Sequence, residues 1–132
     1  MLLFLLTAGS GWIAALLLAA TAFVPYVIRS RAGGPRASRS GFRLHYALGL
    51  LVLSVAFMHA WLPMSREPMR AFDQVGLLLA SAAFCILLWQ VGLGIRLRTA
   101  RRAHRTLARR LHFWTMMLSV SLVATHIVLN RA

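Results

Sequence analysis

The chain has 132 residues, 60% of them hydrophobic, with fifteen arginines, no lysine and two acidic residues, for a formal net charge of +13. A water-soluble domain of this size needs a polar surface that this composition does not supply, so that class is excluded. The basic excess is assigned to membrane orientation and anionic lipid headgroups, not to nucleic acid.

Four apolar stretches, residues 2–28, 44–62, 75–95 and 111–129, each approach the about 20 residues that an α-helix needs to cross a bilayer. They predict an all-α, multi-pass protein: a transmembrane four-helix bundle, one domain over residues 1–132, with little mass outside the membrane. The first stretch lacks a basic leader, runs longer than a signal peptide's apolar region and is followed by its arginines, so a retained helix is expected. Behind it, "RAGGPRASRSG" has the Gly, Pro and Ser of a flexible connector, and Arg29, Arg31, Arg36, Arg39 and Arg43 cluster there. The second stretch sits in "RLHYALGLLVLSVAFMH", from Arg43 to His59. A turn, "SREPMRAFD", balances Arg66 and Arg70 with Glu67 and Asp73. The third stretch carries Cys85, the single cysteine, which reads as a small packing residue. Arg96, Arg98, Arg101, Arg102, Arg105, Arg109 and Arg110 follow, with His104 among them as a solvated loop residue. The fourth stretch sits in "RLHFWTMMLSVSLVATH", from Arg110 to His126. Twelve of the fifteen arginines thus fall in two segments on one side. The positive-inside rule makes that side cytoplasmic and places both termini on the periplasmic side of a bacterial inner membrane.

The two quoted frames match under an offset of 67 residues, the separation of His45 and His112. The offset also carries His59 onto His126, Ser54 onto Ser121, Ile28-Arg29 onto Ile95-Arg96, Arg31 onto Arg98 and Gly9 onto Gly76. Two similar helical hairpins are inferred, helices 1–2 and 3–4, related as a parallel repeat. His45 and His112 then share a depth near the cytoplasmic surface, and His59 and His126 another near the outer one.

In each frame the histidines are fourteen residues apart, which is a rotation of about 1,400° and a rise of about 21 Å in an α-helix. Both therefore lie on one helix face, within a hydrocarbon core of about 30 Å. Helices 2 and 4 run the same way, so facing each other they form two His–His pairs, one above the other. An intramembrane histidine is costly without a partner and is a functional candidate by default. Bis-imidazole ligation of haem iron suits two ligands at each level, with the porphyrin filling the apolar interior. Arg43, Arg109 and Arg110 beside the inner pair, and Arg66, Arg70 and Arg131 near the outer pair, are candidate partners for the propionates. Zinc or copper would need three or four close ligands, which neither level supplies. No C-x-x-C-H motif exists for covalent c-type haem. Interhelical hydrogen bonding without any cofactor is the plain alternative.

This plan resembles the di-haem membrane cytochromes b, above all the four-helix core of the cytochrome bc-complex cytochrome b, and more distantly the ferric-reductase-type membrane domains. In the cytochrome b family two helices each carry two histidines with thirteen residues between them, and both haems lie between those helices. The resemblance assigns His45 and His112 to one haem b, and His59 and His126 to the other. It also implies glycines that let haem pack closely, for which Gly9, Gly11, Gly76, Gly92 and Gly94 are candidates. The family's C-terminal half, its quinol-site signature and any flavin or nicotinamide domain have no counterpart here. The expected role is accordingly a di-haem electron-transfer subunit of a larger respiratory complex, working between the quinone pool and a partner redox protein. A stand-alone quinol-oxidising cytochrome b and a haem-free membrane scaffold are the alternatives. Trp12, Trp61 and Asp73 on the outer side, and Tyr26, Tyr46 and Trp114 on the inner, are candidate quinone contacts; aromatics at such depths also serve as interfacial anchors.

Overall fold

Four α-helices follow one another in the computed structural model: α1 (Leu2–Arg31), α2 (Pro35–Met64), α3 (Asp73–Thr99) and α4 (Arg102–Leu129). The structure describes residues 2–31, 35–64, 73–99 and 101–129. Arg66, Arg70 and Arg131 lie outside the described residues. Each helix contains a segment long and apolar enough to cross a membrane: Ala8–Ile28, Phe42–Trp61, Gln74–Thr99 and His104–Leu129. The chain is all-α and has the make-up of a multi-pass membrane protein.

The helices outrun the apolar stretches, which corrects the expected boundaries. The stretch expected as a flexible connector is helical from Pro35, and the basic segment around His104 is helical up to Thr99 and again from Arg102. Hydropathy marks where lipid ends; it does not mark where the backbone ladder ends. Arginine is a good helix former, and proline is well placed at a first helical position, where its missing N–H has no partner to lose. At 1.5 Å per residue the 30 residues of α1 and of α2 make helices of about 45 Å, longer than a hydrocarbon core of about 30 Å. The extra turns carry Arg29, Arg31, Arg36 and Arg39 beyond the apolar spans.

Charge placement at these ends follows the membrane, not the helix dipole. Arg96 and Arg98 close α3, where cations suit the dipole. The first turn of α4 has no acid and opens with Arg102, against a dipole effect of about 0.3–1 kcal/mol. An anionic leaflet attracts each nearby arginine by about 1 kcal/mol, and several arginines there outweigh one dipole. His104, expected in a loop, is an exposed residue of this first turn, and its backbone N–H donates to the Arg101 carbonyl at 3.1 Å.

The chain divides into two units, Met1–Met64 and Ser65–Ala132. In the first, α1 packs on α2; in the second, α3 packs on α4. Val52 in α2 is 2% exposed and Ser119 in α4 is 1% exposed, both deeply buried among the described residues. The 67-residue offset carries one onto the other. Each also stands seven residues from both histidines of its helix, close to two full turns. Thus His45, Val52 and His59 share the face that α2 turns toward α1. His112, Ser119 and His126 share the face that α4 turns toward α3.

The supporting helices follow the repeat less strictly. In α3 the buried residues among those described are Gly76, Ala83, Leu87, Gln90, Leu93 and Gly94, which recur at helical spacing. In α1 the buried residues are Leu18 and Thr21. The offset would carry these onto Cys85 and Leu88, and both are exposed. Cys85 therefore does not pack inside its hairpin, contrary to expectation, because α3 presents a different face from α1. Large apolar side chains such as Leu16, Phe23 and Leu78 stand exposed on the hairpins, as lipid-solvated helices allow.

Small residues at Ser119 and Ala83 let α3 and α4 approach, the usual device where no hydrophobic effect drives helices together. Ser119→Leu should overpack this seam and destabilise the protein by about 1–3 kcal/mol, read as a lower denaturation midpoint in detergent. Ser119→Ala, which loses only a bond to the Thr115 carbonyl of its own helix, should cost much less.

Candidate functional site

All four predicted histidines are half-buried on the inner faces of their hairpins. Three rings engage the neighbouring helix through Nδ1. The Nδ1–H of His45 donates to the Thr21 carbonyl of α1 at 3.0 Å. The Nδ1–H of His126 donates to the Gly76 carbonyl of α3 at 3.1 Å. His59 Nδ1 shares a 3.3 Å hydrogen bond with the Ser10 hydroxyl of α1. A carbonyl only accepts, so the tautomer of His45 and His126 is fixed: the proton is on Nδ1, and the neutral ring carries its lone pair on Nε2. That is the form in which a histidine ligates metal through Nε2 while a backbone carbonyl holds its other nitrogen.

The His45 contact has a cause in the sequence of α1. Pro25 lies inside this helix. In an α-helix the N–H of residue 25 would bond the carbonyl of residue 21. Proline has no N–H, and its ring pushes that carbonyl aside. The Thr21 carbonyl therefore loses its regular i+4 donor, and His45 donates to it from α2. Thr21 itself is 8% exposed, and its hydroxyl donates back to the Leu17 carbonyl at 2.7 Å.

His112 sits in a different setting. Gln90, 8% exposed, donates from Nε2 to the His112 backbone carbonyl at 2.8 Å. The Thr115 hydroxyl donates to Gln90 Oε1. An amide and a hydroxyl thus satisfy each other across the α3–α4 seam, as buried polar groups in a membrane must.

Glycine has two roles in the site. Gly76 is buried and offers its carbonyl to His126. Gly11 lies against His59: a Cβ there would stand 2.8 Å from Cε1 of the ring. At Gly9, expected beside a haem, a Cβ would meet nothing within 4 Å.

Arg43, Arg109 and Arg110 are exposed. Arg43 and Arg110 each precede a histidine by two residues, about 200° around the helix, so they leave from the side opposite the histidine face. Arg109 is about 60° from the His112 direction and Arg105, seven residues before it, about 20°. Arg105, not singled out from the sequence, is thus the arginine best aligned with His112. Arg66 and Arg131 lie outside the described residues, as does the side chain of Asp73. Trp12, Tyr26, Trp61 and Trp114 are exposed, while Tyr46 is half-buried with its ring edge-on to His45 at 6.0 Å. Ser10, Thr21, Pro25, Gln90 and Thr115 were also missed. Only Pro25, a helix breaker within an apolar run, carried a visible signal.

Gly11→Ala should displace the His59 ring and disturb its bond to Ser10. In full-length protein with 15N-labelled histidine, without cofactor, the His59 side-chain resonances should move and those of His45 stay. Gly9→Ala should move neither. Unmoved His59 signals in Gly11→Ala would contradict the packing described.

No family model, no curated protein and no solved structure matches the chain.

Proposed function

We propose that the protein is a di-haem b-type membrane cytochrome subunit that carries electrons across the bilayer, between the quinone pool and a partner redox protein. One observation supports this most: His45 and His126 hold their Nδ1–H on a backbone carbonyl, which presents Nε2 as a neutral nitrogen donor. Two histidines fourteen residues apart on each of α2 and α4 suit a bundle holding one group near each membrane face. His45 with His112 would hold the cytoplasmic-side haem, and His59 with His126 the outer one. Bound there, each haem would take up and release single electrons. The chain's own part is to fix the imidazoles: Thr21 and Gly76 set ring orientation through their carbonyls, Ser10 through its hydroxyl, and Gly11 leaves space for the His59 ring. Arg109 and Arg105, on the histidine side of α4, would meet anionic substituents at the cytoplasmic surface. The arginines at the α1–α2 and α3–α4 junctions support an inner-membrane orientation with both termini periplasmic.

A second reading, a haem-free scaffold, draws on the same contacts, because each ring also ties two helices together. Purified protein decides between them. The expected result is a reduced-minus-oxidised spectrum with a b-type α-band and a pyridine haemochrome titration of two haems per chain. Absence of the band would refute the haem reading, and one haem per chain would refute the two-site version. His45→Ala and His112→Ala should each remove the same haem, and His59→Ala and His126→Ala the other. Loss of different haems within one pair would overturn the pairing.

A further inference from the structure

We propose that Pro25 is a positioning residue for His45, keeping the Thr21 carbonyl available as the acceptor that fixes the ring. The role assigned to the ring rests on the two-haem reading; the hydrogen bond itself does not. A proline within a helix interior is destabilising relative to alanine, and this one stands at the position whose N–H would bond the Thr21 carbonyl in a regular helix. The effect is local. The 67-residue offset puts Gly92 where α1 has Pro25, and Leu88 where it has Thr21. The device is therefore specific to the first hairpin and to the cytoplasmic-side histidine of that hairpin.

The chemistry follows from the acceptor. A carbonyl with no helical N–H on it is a stronger acceptor than one already engaged, and it draws the Nδ1 proton of His45 harder. Electron density at Nε2 rises with it, which makes the ring a more basic ligand. A more basic axial ligand favours the oxidised iron and lowers the potential of the haem it holds. Pro25 thereby sets one of the two sites lower than it would otherwise lie.

Pro25→Ala restores the competing N–H and strengthens α1, so the variant folds. The test uses the full chain in lipid, 15N-labelled at histidine, with Phe23→Leu, a change at an exposed α1 residue two positions from Pro25, as the control. Without cofactor, Pro25→Ala should move the His45 Nδ1 proton upfield and shift the ring toward the Nε2–H tautomer, while His126 keeps its signals. In haem-loaded protein the midpoint potential of one haem should rise and the other stay. Phe23→Leu should leave both readouts at their parent values. Unchanged His45 signals in Pro25→Ala would overturn the proposal, and so would equal changes at His45 and His126, which would mark general loosening. A chain that binds no haem would defeat the two-haem reading alone, with the nuclear resonance arm still deciding the role of Pro25.

Discussion

A ring N–H inside a hydrocarbon layer has to find an acceptor, and the organisation of both hairpins follows from that requirement. Water is not available there, and a polar group without a partner costs several kcal/mol. A completed interhelical hydrogen bond in a membrane contributes far less, about 0.6 to 2 kcal/mol. The penalty therefore dictates the design more than the gain does. His45 takes a carbonyl that Pro25 denies to its own helix, His126 takes the Gly76 carbonyl, and His59 meets the Ser10 hydroxyl. The two carbonyl bonds fix the tautomers of His45 and His126, and all three bonds tie one helix to the next.

The two hairpins meet this requirement by different means. The histidine helices are matched at their histidines and at the position between them: Val52 and Ser119 occupy the same repeat position and are both deeply buried among the described residues. The supporting helices are not matched. α1 works with Ser10, Gly11, Thr21 and Pro25, whereas α3 works with Gly76 and the Gln90–Thr115 pair. A function that depends on where four imidazoles stand constrains α2 and α4 strictly. It leaves α1 and α3 open to any side chains that satisfy the ring nitrogens and the seam.

The histidine face was legible in the sequence because it depends only on helical periodicity: steps of seven residues keep His45, Val52 and His59 in line. The four membrane-length helices were legible for the same reason, through hydropathy. Helix ends were not, since Arg36 or Arg102 in a basic run interrupts hydropathy without interrupting a backbone ladder. Arg43 and Arg110 looked like neighbours of the histidines because adjacency in sequence was read as adjacency in space; two residues along a helix is the far side. Cys85 looked like a packing residue because a lone cysteine in the middle of an apolar helix usually is one; which face of α3 meets α4 is not written in that residue type. Pro25 was visible as a helix breaker, but its consequence lies four residues back and on another helix. A single-helix pattern has no means of showing that.

The same hydrogen bonds serve a scaffold or a cofactor site, so their existence alone does not choose between the two. The distribution of polar groups favours the cofactor. In the second hairpin Gln90 and Thr115 already bridge α3 and α4, so adhesion there needs no histidine. Glue also has no preference for one ring nitrogen over the other, nor for a second histidine fourteen residues away on the same face. A ligand has both preferences: it needs Nε2 presented and Nδ1 held, and a path across the bilayer needs two such places along one helix. On the proposed reading the fourteen-residue spacing and the Nδ1–H tautomers of His45 and His126 share one requirement, where adhesion would need a separate reason for each.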